Sequence, residues 1–362
     1  MTTTVRDIVT TLDRLAPFEL AESWDNVGLL LGCERDALDG PVLLTIDLTR
    51  AVFEEAREMN ASCVLAYHPP IFHEIKRITG ASPRGGLILD VLRAGISVVS
   101  PHTALDAAPD GMADWLMDGV GAGRGDRRAL SPHRSEVAGG AKKIVTFVPT
   151  ARTPAVRDAM VGAGAGVIGG YDTCSYVVSG RGTFRGGEGT NPVVGERGRL
   201  EVVEEDRLEM VCPEARLAEV LAALRLAHPY EEPAFDVYGL AAAPDWSRGG
   251  GRCETLEGPA GVDEVAARLR LHLGVDVIKV AAAPGAGVVR RVGVCPGAGG
   301  SLLDAALAAW CDGFVTSEMQ HHQALAALER GCSVFLAGHT STERGYLPTL
   351  ALRLTQALPD LD

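Results

Sequence analysis

The sequence predicts an α/β protein: a two-part core domain, residues 1–125 and 252–362, interrupted by a ferredoxin-like insert over 142–240. Three observations carry this. Before residue 125, short apolar runs alternate with amphipathic stretches. The same alternation resumes after 252, and the segment between has a β-α-β-β-α-β rhythm. The separating stretches, 118–141 and 241–253, are rich in Gly, Ser, Pro or charge and lack periodicity, so they read as linkers or exposed loops. Three domains in a row is the weaker arrangement, because each outer piece alone would be a small sheet with exposed edges.

The elements follow in order. "MTTTVRDIVTTLDRLAP" has the pattern of an amphipathic helix with charges inside it, unlike a secretory signal. "PVLLTID" (41–47) reads as a strand and "LTRAVFEEAREMN" as a helix. "SCVLAY" (62–67) and "GISVVS" (95–100) are strands, each followed by a turn, and "MADWLMDG" is helical. In the insert, "KKIVTFVPT", "YDTCSYVVSGRGTF", "GRLEVVEEDRLEMVCP" and "AFDVYGL" are strands, with "TPAVRDAMVGAG" and "ARLAEVLAALRLAHP" as helices. After the second linker, "GVDEVAARLRLHLG" is a helix, and "VIKVAAA" and "VRRVGVCPG" are strands. "GSLLDAALAAW" (helix), "GFVTS" (strand), "QALAALERG" (helix), "SVFLAG" (strand) and a last helix with Pro348 in its first turns complete the chain.

With 362 residues, 46% hydrophobic and 22% charged, the chain has room for two or three cores. A net charge of −13 without a Lys/Arg cluster argues against duplex nucleic-acid binding. Eight cysteines lack any C-x-x-C pair, which argues against a zinc ribbon and fits a reducing compartment. No apolar run approaches a membrane span, and a cytoplasmic location is expected.

Three predicted strands end in metal-binding residue types. His68 follows "SCVLAY", His102 and Asp106 follow "GISVVS", and His339 and Glu343 follow "SVFLAG". Ligands of open α/β sheets sit beyond the carboxyl ends of strands, and imidazole with carboxylate suits zinc, iron or manganese. A lone histidine at a strand end is more often structural than ligating, and an i,i+4 His/Glu pair is more often a surface or capping pair. Their joint occurrence after three strands shifts the balance toward a site. In "GHTSTE", Ser341 or Thr342 is expected to cap the helix, with Glu343 in its first turn.

Other stretches have plainer readings. Trp24, Asp25 and Asn26 in "SWDNVGLLLG" either line a cleft or fix the entry to the first strand. "HPYEEPAFD" (228–236) reads better as a packing loop than as a second metal site. "AGAGVIGG" precedes a strand and is a poor phosphate cradle. His73 and His272 read as structural or surface residues.

"SWDNVGLLLG", "YHPPIFHEIKRIT", "SPHTALDAAPDGMADWL", "TSEMQHHQAL" and "GHTSTERGYLP" together resemble the Nif-three-like dinuclear metal-centre family, often labelled GTP cyclohydrolase I type 2 homologues. "AGAGVIGGYDTCSY", "NPVVGERGRLEVVEEDRLE" and "HPYEEPAFDVYGL" resemble the PII/CutA-like insert of its longer members. The resemblance implies a divalent-metal cleft with His68, Asp106, His339 and Glu343 as ligands. Tyr67 stands where the family often has a second histidine, so the expectation is one or two ions per subunit. His102, Tyr67, Trp24, Asp25 and Asn26 are expected behind the ligands or facing substrate, with Glu318 or His322 as general base or acid. The implied activity is metal-dependent hydrolysis of a nucleotide-like small molecule, with GTP ring opening and formate release as the named reaction. The other implied function is a non-catalytic metal-binding or regulatory scaffold. In both, a toroidal homohexamer is implied.

Overall fold

Thr4 and Asp7 close a capping box at the start of the first helix: the Thr4 N–H and hydroxyl both donate to Asp7 Oδ2, at 2.8 and 2.7 Å. Helix α1 (Val5–Leu15) then buries Val5, Ile8 and Leu12 in one cluster with Leu350 and Leu354. The computed structural model describes residues 3–133, 141–241, 244–359 and 361. They divide into two compact units, Met1–His133 with Asp245–Asp362, and Arg134–Pro244. Part of the first expected linker, 134–140, and residues 242–243 of the second lie outside the described residues.

In the first unit, β1 (Gly28–Leu31), β2 (Val42–Thr45), β3 (Cys63–Ala66) and β4 (Ser97–Ser100) form a sheet in the order β1-β4-β3-β2. Strands β2, β3 and β4 are parallel, and β1 is antiparallel to β4. Every residue of β3 and β4 is buried, as expected where helices cover both faces of a parallel sheet. α2 (Arg50–Glu58) joins β2 to β3, and α3 (Pro83–Arg93) joins β3 to β4. The sequence led us to expect only a turn before β4. Instead Pro83 occupies the first helical turn and the Ser82 hydroxyl accepts from Gly85 N–H, so a Pro/Gly-rich start opens a helix that buries Leu87, Ile88 and Val91. After β4 come α4 (His102–Ala107), α5 (Met112–Asp118) and β5 (Ser131–His133).

The second unit contains β6 (Ala141–Pro149), α6 (Thr153–Gly162), β7 (Tyr176–Arg185), β8 (Leu200–Pro213), α7 (Leu217–Ala227) and β9 (Phe235–Gly239). Its four strands are antiparallel in the order β7-β8-β6-β9. Val156 and Met160 of α6 and Val220 and Leu224 of α7 pack with Ile144, Val148, Leu208 and Met210 into one core.

The first unit resumes with β10 (Asp245–Gly250), β11 (Arg252–Ala260), α8 (Val262–Leu273), β12 (Lys279–Ala281), β13 (Val289–Val294) and α9 (Leu303–Ala308). β14 (Gly313–Thr316), α10 (His321–Glu329), β15 (Ser333–Leu336), α11 (Ser341–Arg344) and α12 (Leu347–Ala357) follow. The second sheet runs β11-β13-β14-β15-β12, with β13, β14 and β15 parallel between antiparallel edges. Parts of both expected linkers are structured: β5 pairs with β10 as a two-stranded ribbon. Gly249 has φ +128, and a Cβ there would lie 2.0 Å from the Ser131 carbonyl oxygen, so the glycine is needed for the close approach.

Arg252 ties the two halves together. Its buried guanidinium donates from Nε to both carboxylate oxygens of Asp114 at 3.1 Å, and from Nη1 to the carbonyls of Gly249 and Gly251. Nη2 donates to the carbonyls of Ala107 and Ala108 at 3.1 and 2.8 Å. The carbonyls at the end of α4 are thereby satisfied, and the helix that carries His102 and Asp106 is held in place.

Candidate metal centre

The parallel strands of both sheets send their carboxyl ends into one cleft of about 750 Å³. Asp47 follows β2, Tyr67 and His68 follow β3, and His102 and Asp106 lie on α4 after β4. From the other sheet, Glu318 follows β14, and His339 and Glu343 follow β15.

Glu343 is the centre of the arrangement. Its side chain is 2% exposed, and its nearest ionisable partners are two imidazoles. His339 Nε2 lies 3.3 Å from Oε1 and His68 Nε2 lies 3.5 Å from Oε2. Oε2 has no hydrogen-bond partner. One ligand atom from each of His68, His339 and Glu343 lies within 4.8 Å of the other two, the one such group of three among the described residues.

Both imidazoles are held from behind by carboxylates. His68 Nδ1 is 3.0 Å from Asp47 Oδ1, and His339 Nδ1 is 2.6 Å from Glu318 Oε1. A carboxylate on the far nitrogen orients a ligating histidine and raises its basicity. Burial works to lower the pKa of His68, but the negative charges of Glu343 and Asp47 and the bond to Asp47 push it up to about 9. Burial works to raise that of Glu318, but bonds with Ser317 and His339 and the His339 charge leave it below the usual carboxylate range.

The backbone leaves room at this point. Gly297, with φ +59, would carry a Cβ 3.0 Å from Glu343 Oε1 and 3.5 Å from His339 Nε2. Its N–H donates to Thr342 Oγ1 at 3.1 Å, and that hydroxyl donates to the His339 carbonyl at 2.8 Å. Neither Ser341 nor Thr342 caps α11, contrary to the sequence expectation; Thr340 is the cap residue, and the Thr342 hydroxyl fastens the Gly297 turn instead. An orphaned buried carboxylate oxygen, two oriented nitrogens and a space the size of a methyl group fit a divalent cation.

The remaining expected residues divide. Asp106 lines the same cleft but lies outside the group of three, and its Oδ1 accepts the Tyr67 hydroxyl at 2.6 Å. Burial pushes Asp106 up to about 7 despite that bond. His102 has Nδ1 2.7 Å from Asp25 Oδ1, and Asp25 also accepts from the Thr103 N–H and hydroxyl. Burial would raise Asp25, but these bonds hold it below its ordinary value. Trp24 is 57% exposed on the cleft wall beside Phe72. The Asn26 amide does not face the cleft: it donates to the Ile71 carbonyl at 2.6 Å and pins the loop after Pro70. Glu318 is committed to His339, and His322 is exposed at the start of α10, outside the cleft lining. Asp47 was missed by the sequence reading; its signal was a carboxylate at the end of the strand beside β3.

In "HPYEEPAFD", His228 is buried with Nε2 donating to the Phe147 carbonyl at 2.9 Å and Nδ1 accepting from Tyr230 N–H. Both nitrogens are spent on the backbone. The packing role expected there is the one observed.

Residues 3–362 match the profile of the family described as Duf34/NIF3 (NGG1p interacting factor 3). A Mycobacterium tuberculosis protein named GTP cyclohydrolase 1 type 2 homolog is 38% identical over 327 residues, covering 90% of this chain and 84% of that one. A Bacillus subtilis protein of the same name is 32% identical over 334 residues, covering 92% and 87%. The crystal structure of a Bacillus cereus protein related to NIF3 matches with a TM-score of 0.65 at 30% identity, covering 99% of this chain and 95% of that one.

Proposed function

Because the chain belongs to the Duf34/NIF3 family, we propose that its cleft binds a divalent cation through His68, His339 and Glu343 and hydrolyses a nucleotide-like small molecule. Ring opening of GTP with release of formate is the candidate reaction, after the name its relatives carry. The observation that supports this most is the buried Glu343 carboxylate facing two imidazoles, each backed by a carboxylate. A bound ion there would polarise an electrophile and bring a water near neutral pKa.

The chain's own groups serve the rest of the reaction. Asp47 and Glu318 hold the ligating rings, which makes them positioning residues. His102 has Nδ1 committed to Asp25 and no protein partner for Nε2 among the described residues, so it is the side chain suited to take and return a proton. In this reading His102 takes that role in preference to His322, which is exposed outside the cleft lining, and Glu318, whose carboxylate holds His339. Trp24 and Phe72 present aromatic faces for a planar ring, and Arg84 on the same wall offers a guanidinium for phosphate.

The test follows formate release from GTP by metal-loaded protein and by Glu343→Gln. Release by the wild type that falls at least a hundredfold in the variant supports the reading. Equal rates in the two proteins overturn it.

A further inference from the structure

Tyr67 is the largest buried side chain of the cleft floor, 1% exposed, and its hydroxyl has one partner. That partner is Asp106 Oδ1, at 2.6 Å. The Ser100 hydroxyl donates to the Tyr67 carbonyl at 2.7 Å, so the backbone that carries the phenol is fastened to the end of β4. A buried carboxylate needs either a cation or hydrogen-bond donors. Asp106 receives an O–H proton where another carboxylate in the cleft, Glu343, faces imidazoles.

The donors in the cleft are therefore divided into two sets. His68, His339 and Glu343 converge on one point, and the described residues contain no second group of three. A second ion would have to draw on Asp106, whose Oδ1 already accepts from Tyr67. A neutral phenol offers such an ion little, which leaves Asp106 and His102 Nε2, and these do not make up a second group of three.

We propose that each subunit holds a single divalent ion, at His68, His339 and Glu343, and that the Tyr67 hydroxyl satisfies Asp106 in place of a second one. This rests on the reading of the cleft as a cation site. The ion would have two imidazole ligands and one carboxylate, leaving open positions for water and substrate, the ligand count of mononuclear catalytic centres. Tyr67 is then the residue that sets stoichiometry.

The test counts ions. Protein is saturated with zinc, and separately with manganese, then desalted, and metal per chain is measured by mass spectrometry. One ion per chain in the wild type and two in Tyr67→His support the proposal. Two in the wild type overturn it while leaving the cation site standing. None in the wild type overturns the site itself, and one in a folded Tyr67→His overturns the role of Tyr67. A second readout is optical. Ferric ion added to the wild type should give no visible phenolate-to-iron charge-transfer band that Tyr67→Phe lacks, and a band present in the wild type and lost in that variant would show Tyr67 to be a ligand and end the proposal.

Discussion

His68 Nε2 lies 3.5 Å from Glu343 Oε2, although the two residues follow strands of different sheets. This contact joins the halves of the first unit at the carboxyl ends of their parallel strands. It also leaves a buried carboxylate oxygen without a hydrogen-bond partner beside an imidazole.

A pH dependence follows for the metal-free protein. The pKa of His68 is pushed up to about 9 in the fold, against about 6.5 in an unfolded chain. A group raised on folding contributes stability that is complete below its unfolded value and lost as pH climbs through the folded one. Asp106, pushed up to about 7 by burial, acts in the same direction at lower pH, because its ionisation favours the unfolded chain. Chelator-treated protein should melt at progressively lower temperature from about pH 5 to about pH 9, with His68 contributing ~3 kcal/mol of the loss. Melting that is constant or rises over this window contradicts the placement of His68.

Asp47→Asn and Glu318→Gln should fold normally and weaken zinc binding by about 10- to 100-fold each, as expected when the group behind a ligating histidine is changed. A competition titration against a chromophoric chelator measures this. Unchanged affinity in both variants would mean that the carboxylates do not act through the imidazoles.

Gly297→Ala should also weaken the metal, since its Cβ would sit 3.0 Å from Glu343 Oε1 at a positive φ. The same titration reads it. Full affinity in the alanine variant would show that the space beside Gly297 is not where the ion sits.

Arg252→Met should cost about 3–5 kcal/mol in denaturant unfolding, because Asp114 and the carbonyls closing α4 would lose their shared donor. A loss below about 1 kcal/mol would contradict the role of Arg252 as the fastening of α4.

Much of the site was legible because each half repeats one device. "PHTALD" after β4 and "GHTSTE" after β15 each put a histidine and an acid four apart beyond a buried parallel strand. Both pairs combine residue types suited to a cation, and the second of them belongs to the group of three that converges on one point. Asp47 did not show, because an aspartate closing a strand looks like ordinary turn chemistry. Helix α3 was hidden by Pro83, Gly85 and Gly86, whose local signal is a loop, while Leu87, Ile88 and Val91 supply the burial that overrides it. The β5–β10 ribbon was hidden for a related reason: its glycines serve a close backbone approach that sequence cannot distinguish from a linker. Arg252 gave no signal at all, since its partners lie at separations of up to 145 residues.

The most direct test of the central claim is calorimetric titration of zinc into chelator-stripped wild-type protein and Glu343→Gln at neutral pH. Saturable binding to the wild type, with affinity lowered at least a hundredfold in Glu343→Gln, is the predicted result. Binding of equal strength to both proteins would contradict a metal centre built on Glu343.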